Sequence, residues 1–374
     1  MKPTGHFLNA LPFAFTLTLI PLAWIGAIYG GWTVLLVYLG SWILVPILDL
    51  ATGLNMENAD PDQPDSALFW HRLVTWIWPF AQAATVFGII AYMATSRHLG
   101  AVEVIGLTLG LGILSGAIGI VYAHELMHQS SRWERWLGDI LMAMALYSHF
   151  RSEHLLVHHR YVGTPRDPVT ARYNEGFHRF FPRVLVQCFR SAWGAEAHQL
   201  KRKGLSASHR SNPFWRYAVL QAICLGLALL VGGWLGLGLF ILHAFIAIWQ
   251  LELVNYIEHY GLTRKHLGDG KYEHTRPHHS WNAAHTFSNW FLINLQRHSD
   301  HHYKPSRRYP LLQTHGDDEA PQLPYSYAVM GLLAMIPPLW RRRMNPRVRR
   351  WRKTFYPEIS DWKPYTQAAN PLPR

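Results

Sequence analysis

The sequence predicts an all-α integral membrane protein of about six transmembrane helices, with a histidine-rich region on the cytoplasmic side. Three observations carry this. Apolar runs recur along the chain, several near the ~20 residues that a helix needs to cross a bilayer. Hydrophobic residues make up 49% of the 374 and charged residues only 16%, where a soluble domain carries about a quarter charged. Nine of the 23 histidines fall in four short clusters, and six crossings place all four on one side.

Composition narrows the class further. Trp, Tyr and Phe each occur 17 times, which suits a chain with two membrane interfaces to line. The net charge of +12 fits either nucleic acid or a cytoplasmic membrane face. The apolar runs favour the membrane, so no nucleic-acid partner is expected. The two cysteines, Cys188 and Cys224, are too few for a four-cysteine iron site or a disulfide framework. An electron carrier, where one is needed, is then a separate protein.

The spans follow in order. Residues 11–29 are too long for a signal-peptide core, and only Lys2 is basic before them, so they read as a first span. After Gly30-Gly31 a second span, 32–48, completes a helical hairpin. Residues 49–65 are polar, contain Pro61 and Pro64, and read as a loop. A third span, 73–94, has Trp76 and Trp78 near its start as interface anchors. The fourth, 102–123, carries Gly106, Gly110, Gly112 and Gly116, a pattern for close helix packing and also for space beside the helix. Fifth and sixth spans, 217–231 and 235–253, join near Gly232-Gly233. The insertions 124–214 and 254–374 are then cytoplasmic, and the Lys/Arg density of the first agrees. Trp136 to Phe150 reads as a buried or interfacial helix, and Tyr325 to Trp340, interrupted by Pro337 and Pro338, as re-entrant or interfacial. The basic tail from Arg341 is either a solvated, lipid-touching face or a docking face for an acidic electron-transfer protein.

The chemistry lies in the histidines. LQRHSDHH brings His298, His301 and His302 to one face of a helix. HELMH does the same for His124 and His128, EHLLVHH holds His154, His158 and His159, and NYIEHYG ends the sixth span with His259. On a regular helix His154 and His158 stack, while His159 points about 100° further round, so one helix can feed two metals. Neutral imidazoles suit iron, copper or zinc. HExxH alone would suggest a zinc protease with Glu125 as base, but a zinc with three ligands leaves the other clusters idle. Nine imidazoles are about right for two five- or six-coordinate ions. Glu125, Glu153, Glu258 and Asp300 stand beside these histidines and are expected to accept the outer ring N–H groups and orient the ligands.

At this point the residues resemble the integral-membrane alkane 1-monooxygenases, a branch of the membrane desaturase and hydroxylase superfamily. HELMH, EHLLVHH, NYIEHYGL and LQRHSDHH match its boxes in order and spacing, and RPHHSWN, Arg276 to Asn282, matches between them. The resemblance covers nearly the whole chain. Gln129 and Val157 depart from it, where the family often has lysine and glycine. It implies a non-haem diiron site on His124, His128, His154, His158, His159, His259, His298, His301 and His302. It implies dioxygen as co-substrate, electrons from a rubredoxin reduced by an NADH-dependent reductase, and a bacterial inner-membrane location. The implied reaction is R–CH3 + O2 + 2e⁻ + 2H⁺ → R–CH2OH + H2O, on the terminal methyl of medium- or long-chain n-alkanes drawn from the bilayer. His278, His279 and His285 are expected to support the ligands from outside or to be structural, and not to ligate. Docking of the donor is expected on Arg341, Arg342, Arg343, Arg347, Arg349, Arg350 and Arg352. Trp42 is read as lipid-facing, with control of tunnel depth as the sharper alternative. Rival readings are a hydroxylase of alkyl-aromatic methyl groups, a fatty-acyl desaturase, the zinc protease and a metal transporter; the transporter would string its ligands along the spans.

Overall fold

The structure is a computed structural model and describes residues 3–362 and 365; Lys2 and the last residues of the 254–374 insertion lie outside the described part. Among the described residues, five helices are long and apolar enough to cross a membrane. The first four are α1 (Phe7–Tyr29), α2 (Gly31–Thr52), α3 (Asp65–Thr95) and α4 (Ala101–Met127). After α5 (Arg132–Met144), a short helix α6 (150–161) and α7 (Phe177–Arg202) comes the fifth, α8 (Pro213–His259). A two-stranded ribbon follows, β1 (His266–Gly268) with β2 (Lys271–Tyr272). The chain then forms α9 (Thr286–Phe291), α10 (His298–Tyr303), α11 (Tyr327–Ala334) and α12 (Pro337–Phe355). An all-α membrane protein is what the sequence predicts.

The 47 residues of α8 are two arms, not one rod. A Cβ on Gly236 would lie 2.7 Å from the carbonyl oxygen of Ala228, whereas eight residues of straight helix span about 12 Å. The fold-back is at Gly233, with φ 60° and ψ −156°, and Gly30 between α1 and α2 adopts nearly the same pair, 62° and −156°. That region is essentially closed to residues with a Cβ. Nothing lies within 4 Å of a Cβ built on Gly233, so an alanine there meets backbone strain alone. Gly233→Ala is expected to cost about 1–3 kcal/mol, seen as a lower thermal midpoint in detergent with unchanged metal content.

Packing explains the glycines of α4. Gly106 and Gly110 face Val34 and Tyr38 of α2, while a Cβ on Gly112 or Gly116 would strike Ile246 or Ala247 of α8. Two hydrophobic cores result. One joins α1–α5 and α8 through Leu19, Trp78, Ile90, Leu114, Tyr122 and Phe240. The other lies under α11 and α12 and includes Phe180, Tyr256, Tyr260, Trp281 and Trp340.

Several boundaries shift. α2 runs on to Thr52, and Asp49, expected in a loop, is buried and accepts the N–H of Ser288 at 2.8 Å. Trp78 is no interface anchor: it is fully buried and donates to Gln82 Oε1 at 2.7 Å. Pro337 and Pro338 open α12, at the position where a missing N–H costs nothing.

Candidate metal centre

Local geometry decides where each histidine points. His124 and His128 end α4 four residues apart and stay together. In α6 the turn 154–158 is π-helical. Its i→i+5 bonding underwinds the helix, so His154 pairs with His159 and His158 faces elsewhere. This reverses the stacking expected for a regular helix. α10 also divides: His298 and His302 join one group and His301 the other, because successive residues diverge by about 100°. All three were expected on one face.

The nine histidines thus form two groups, His124, His128, His154, His159 and His301 in one and His158, His259, His298 and His302 in the other. In the first, Nε2 of His154 lies 2.9 Å from both His128 and His159 Nε2, and His159 to His301 is 3.1 Å. In the second, His302 Nε2 is 3.0 Å from His298 and 3.2 Å from both His158 and His259. Such triangles cannot be satisfied by hydrogen bonds, since each neutral ring nitrogen either donates or accepts. A metal fits. With bonds of about 2.1 Å, ligands at right angles lie about 3.0 Å apart and tetrahedral ones about 3.4 Å apart. The observed 2.9–3.2 Å is close to both values, so each group can close on an ion. Buried Nε2 of His124 has no hydrogen-bond partner among the described residues, which suits a metal ligand. Burial, then the neighbouring imidazoles, hold His128, His154, His159, His298, His301 and His302 well below the usual imidazole range. Their lone pairs are free for a cation.

The outer nitrogens identify a residue that the sequence did not single out. His158 Nδ1 donates to Asp167 Oδ2 at 2.9 Å, and the same oxygen accepts from Thr170 at 2.6 Å. His259 Nδ1 donates to the carbonyl of Asn255 at 2.8 Å. Both bonds leave Nε2 as the lone-pair nitrogen. Asp167 follows its histidine by nine residues, beyond the reach of one helical turn; only the Asp-Pro step that ends RYVGTPRDP hinted at a turn there.

Most carboxylates expected in that role do something else. Glu125 accepts from Gln129 Nε2 at 2.9 Å. Asp300 binds Arg307 at 2.6 Å and the N–H of Gln313 at 3.0 Å, which ties down the loop after α10. Both Glu153 oxygens are buried with no hydrogen bond among the described residues. His285 pairs in backbone with Leu54 and belongs to neither group. Glu258 does reach the centre, but on the inner side: its Oε2 is 3.3 Å from His298 Nε2.

A third cluster, Glu273, His278 and His279, has ligand-like spacing. Its tautomers argue against a metal. The N–H of Arg276 donates to His279 Nδ1 at 2.8 Å, which puts the ring proton on Nε2, facing the Tyr356 hydroxyl at 2.7 Å. Burial raises the Glu273 carboxyl, but bonds from His279, Tyr356 and Lys265 outweigh it and bring it down to about 2. An anionic acceptor with donors around it is a hydrogen-bonded clasp on α12, so His279 supports the fold and not the metal groups.

A mostly apolar cavity, open on one side, leads to the centre. His124, His154, His298 and Glu258 line it beside Ser41, Trp42, Gly116, Phe291, Leu295 and Gly331, among other apolar side chains. Trp42 therefore faces inward, against the lipid-facing expectation. A Cβ on Gly331 would lie 3.4 Å from its ring. The α12 arginines are not uniform either. Arg342, Arg343, Arg349 and Arg350 are exposed, but Arg341, Arg347 and Arg352 are partly buried, and Arg352 lies 4.5 Å from the rings of both Tyr173 and Trp362.

Apolar helices around paired histidine groups define a membrane metalloenzyme of the desaturase and hydroxylase class, and the fatty acid desaturase family matches residues 99–334. Alkane 1-monooxygenase 2 of Pseudomonas aeruginosa is 40% identical over 326 residues, 85% of this chain and 84% of the relative. An alkane 1-monooxygenase of Pseudomonas putida is 37% identical over 330 residues, 87% and 79% of the two chains. The xylene/toluene monooxygenase hydroxylase component XylM of Pseudomonas putida is 32% identical over 258 residues, 68% and 67%. The chain belongs to the alkane 1-monooxygenase family, within the membrane desaturase and hydroxylase superfamily. It is a multi-pass membrane oxidoreductase, a monooxygenase.

Proposed function

We propose that this enzyme hydroxylates the terminal methyl of medium- and long-chain n-alkanes, using two irons, dioxygen and electrons from rubredoxin. The observation that carries the reading is the apolar cavity, lined by membrane-helix residues and by histidines of both groups. His124, His128, His154, His159 and His301 would hold one iron, and His158, His259, His298 and His302 the other. Bound there, the irons would supply the two-electron activation of dioxygen that puts one oxygen atom into a C–H bond and reduces the other to water.

The residues of the chain do the rest. An alkane already lies in an apolar solvent, so moving it from lipid to cavity gains little from hydrophobic burial and depends on packing. Selectivity then follows shape: the cavity admits a chain end-on and presents its methyl to His124, His154 and His298. Leu295, Phe291 and Ile257 line the cavity and exclude water. Glu258 adds a carboxylate that offsets part of the ionic charge near His298. The two arms of α8 with α1–α4 make six crossings, which puts every histidine box on one side; the Lys/Arg-rich insertions argue that this side is the cytoplasm of a bacterial inner membrane.

The test uses membranes containing the enzyme, supplied with rubredoxin, its NADH-dependent reductase and octane. The expected result is 1-octanol labelled from ¹⁸O₂, with iron in the purified protein. Oxidation of xylene but not octane would favour the second reading, an alkyl-aromatic methyl hydroxylase, which the XylM relative motivates. A lone zinc would end both.

Trp42 offers a finer test. Its indole meets α11 across the cavity at Gly331. Trp42→Ala is expected to lengthen the accepted chain. A methylene's worth of pocket discriminates on the order of tenfold or more, so the hexadecane-to-octane ratio in kcat/KM should rise by at least that much. An unchanged chain-length profile would remove Trp42 from the tunnel.

A further inference from the structure

We infer that a second, smaller pocket beside the five-histidine group, walled by Val121, Ile293, Leu295, Tyr309 and Leu312, is a holding site for dioxygen, apart from the place of the alkane. This rests on reading the histidine groups as the oxidising centre. The alkane cavity reaches His124, His154 and His298. The second pocket reaches His124 and His301, both of the five-histidine group. Val121, His124 and Leu295 border both spaces. A chain seated end-on fills the first as far as the histidines, so a second reactant entering there must pass it. The smaller pocket gives dioxygen its own place beside one metal group.

The lining decides what the pocket would hold. Tyr309 turns its hydroxyl away, donating to the carbonyl of His71 at 3.0 Å. His124 and His301 commit ring nitrogens to the ion. Glu125 is the one further polar side chain in the wall, and its Oε1 already accepts from Gln129 Nε2 at 2.9 Å. A buried water makes about three hydrogen bonds, which these side chains do not offer, whereas an apolar cavity takes up a ligand such as xenon. Dioxygen is likewise small and apolar and needs no hydrogen bond.

Backbone strain marks the same wall. Ile293 is buried with φ 44°, a region where a β-branched residue is a true outlier. Asn294 follows at φ 59°, which asparagine tolerates. Its N–H donates to the Asn289 carbonyl at 2.7 Å and its Nδ2 to the Tyr309 carbonyl at 2.9 Å. Glycine or asparagine at 293 would adopt this turn at lower cost. Isoleucine instead sets a stiff apolar side chain into the pocket wall, with Leu295 two residues on at the border of both spaces. Strain of this kind gathers at ligand sites, where the surrounding structure holds it.

The experiment uses full-length, iron-loaded enzyme, crystallised from a lipid mesophase and pressurised with xenon as the apolar probe. Wild type is expected to show xenon beside Ile293 and Leu312. Ile293→Phe and Leu312→Phe fill the pocket from two stretches of chain, and each should remove it. In nanodiscs, with octane, rubredoxin and its reductase, each should raise the KM for dioxygen about fivefold or more while the KM for octane moves less than about twofold. Iron content and thermal midpoint are measured in both, and the xenon site of wild type is decided whether or not a variant folds. Xenon in the alkane cavity alone overturns the proposal. So does an unchanged KM for dioxygen in a folded variant that has lost the xenon. A shifted chain-length profile with the dioxygen dependence unmoved would make the pocket an extension of the alkane cavity, and also overturns it. Failure of the reading beneath looks different: wild type leaves octane unoxidised, the dioxygen dependence is then measured with xylene, and the xenon map needs no turnover.

Discussion

Replacing His154 with alanine is expected to abolish hydroxylation and to empty the five-histidine group. His154 Nε2 lies within 2.9 Å of two other ligand nitrogens, and its ring also lines the substrate cavity. Its loss would remove a bond, open the pocket to water and leave the remaining imidazoles around an ill-held ion. The fall in activity should exceed a thousandfold, the scale on which a reaction loses its essential catalytic group. Iron per chain, measured on purified protein, should drop from near two towards one, since His158, His259, His298 and His302 do not depend on it. Full iron content in an inactive His154→Ala protein would show that this ring serves the substrate and not the metal.

Asp167→Asn is the second large effect, and it acts without touching metal or alkane. The carboxylate takes the proton of His158 Nδ1 and so keeps Nε2 free. An amide turned with its NH2 towards the ring would favour the opposite tautomer, which puts a proton where the metal binds. Loss of such an orienting carboxylate costs about 10–100-fold in metal affinity or activity. The expected signature is a chelator titration in which one of two irons is lost at lower chelator concentration, with activity following it. Asp167 also accepts the N–H of Val169 at 3.0 Å, so Thr170→Val, which removes the Thr170 bonds with Asp167 and with the Gly163 N–H but not the orienting one, serves as the control and should keep both irons. Equal chelator sensitivity in Asp167→Asn and wild type would assign Asp167 to the turn alone.

The histidine boxes were legible because their signal is local. HELMH brings His124 and His128 together by helix spacing alone. The partition between groups was not legible, because it turns on the π turn at 154–158, which changes the phase of His158 and His159 without altering the spelling of EHLLVHH. Glu125 and Asp300 misled for a related reason. Adjacency along the chain placed them near ligands, but helix rotation turned Glu125 to Gln129 and Asp300 to Arg307.

By itself the sequence determined the material of this protein: apolar runs long enough for lipid, breaks at Gly30-Gly31 and Gly232-Gly233, and nine imidazoles in boxes at or beyond span ends. Those are properties of neighbouring residues, and hydropathy and helical spacing report them directly. Only the tertiary structure decided which imidazoles group together, that Asp167 stands behind His158, that Trp42 faces the cavity, and that His128 and His159 come closest to solvent. Each of these depends on how one helix is rotated against another, a quantity summed over many contacts between residues far apart in the chain.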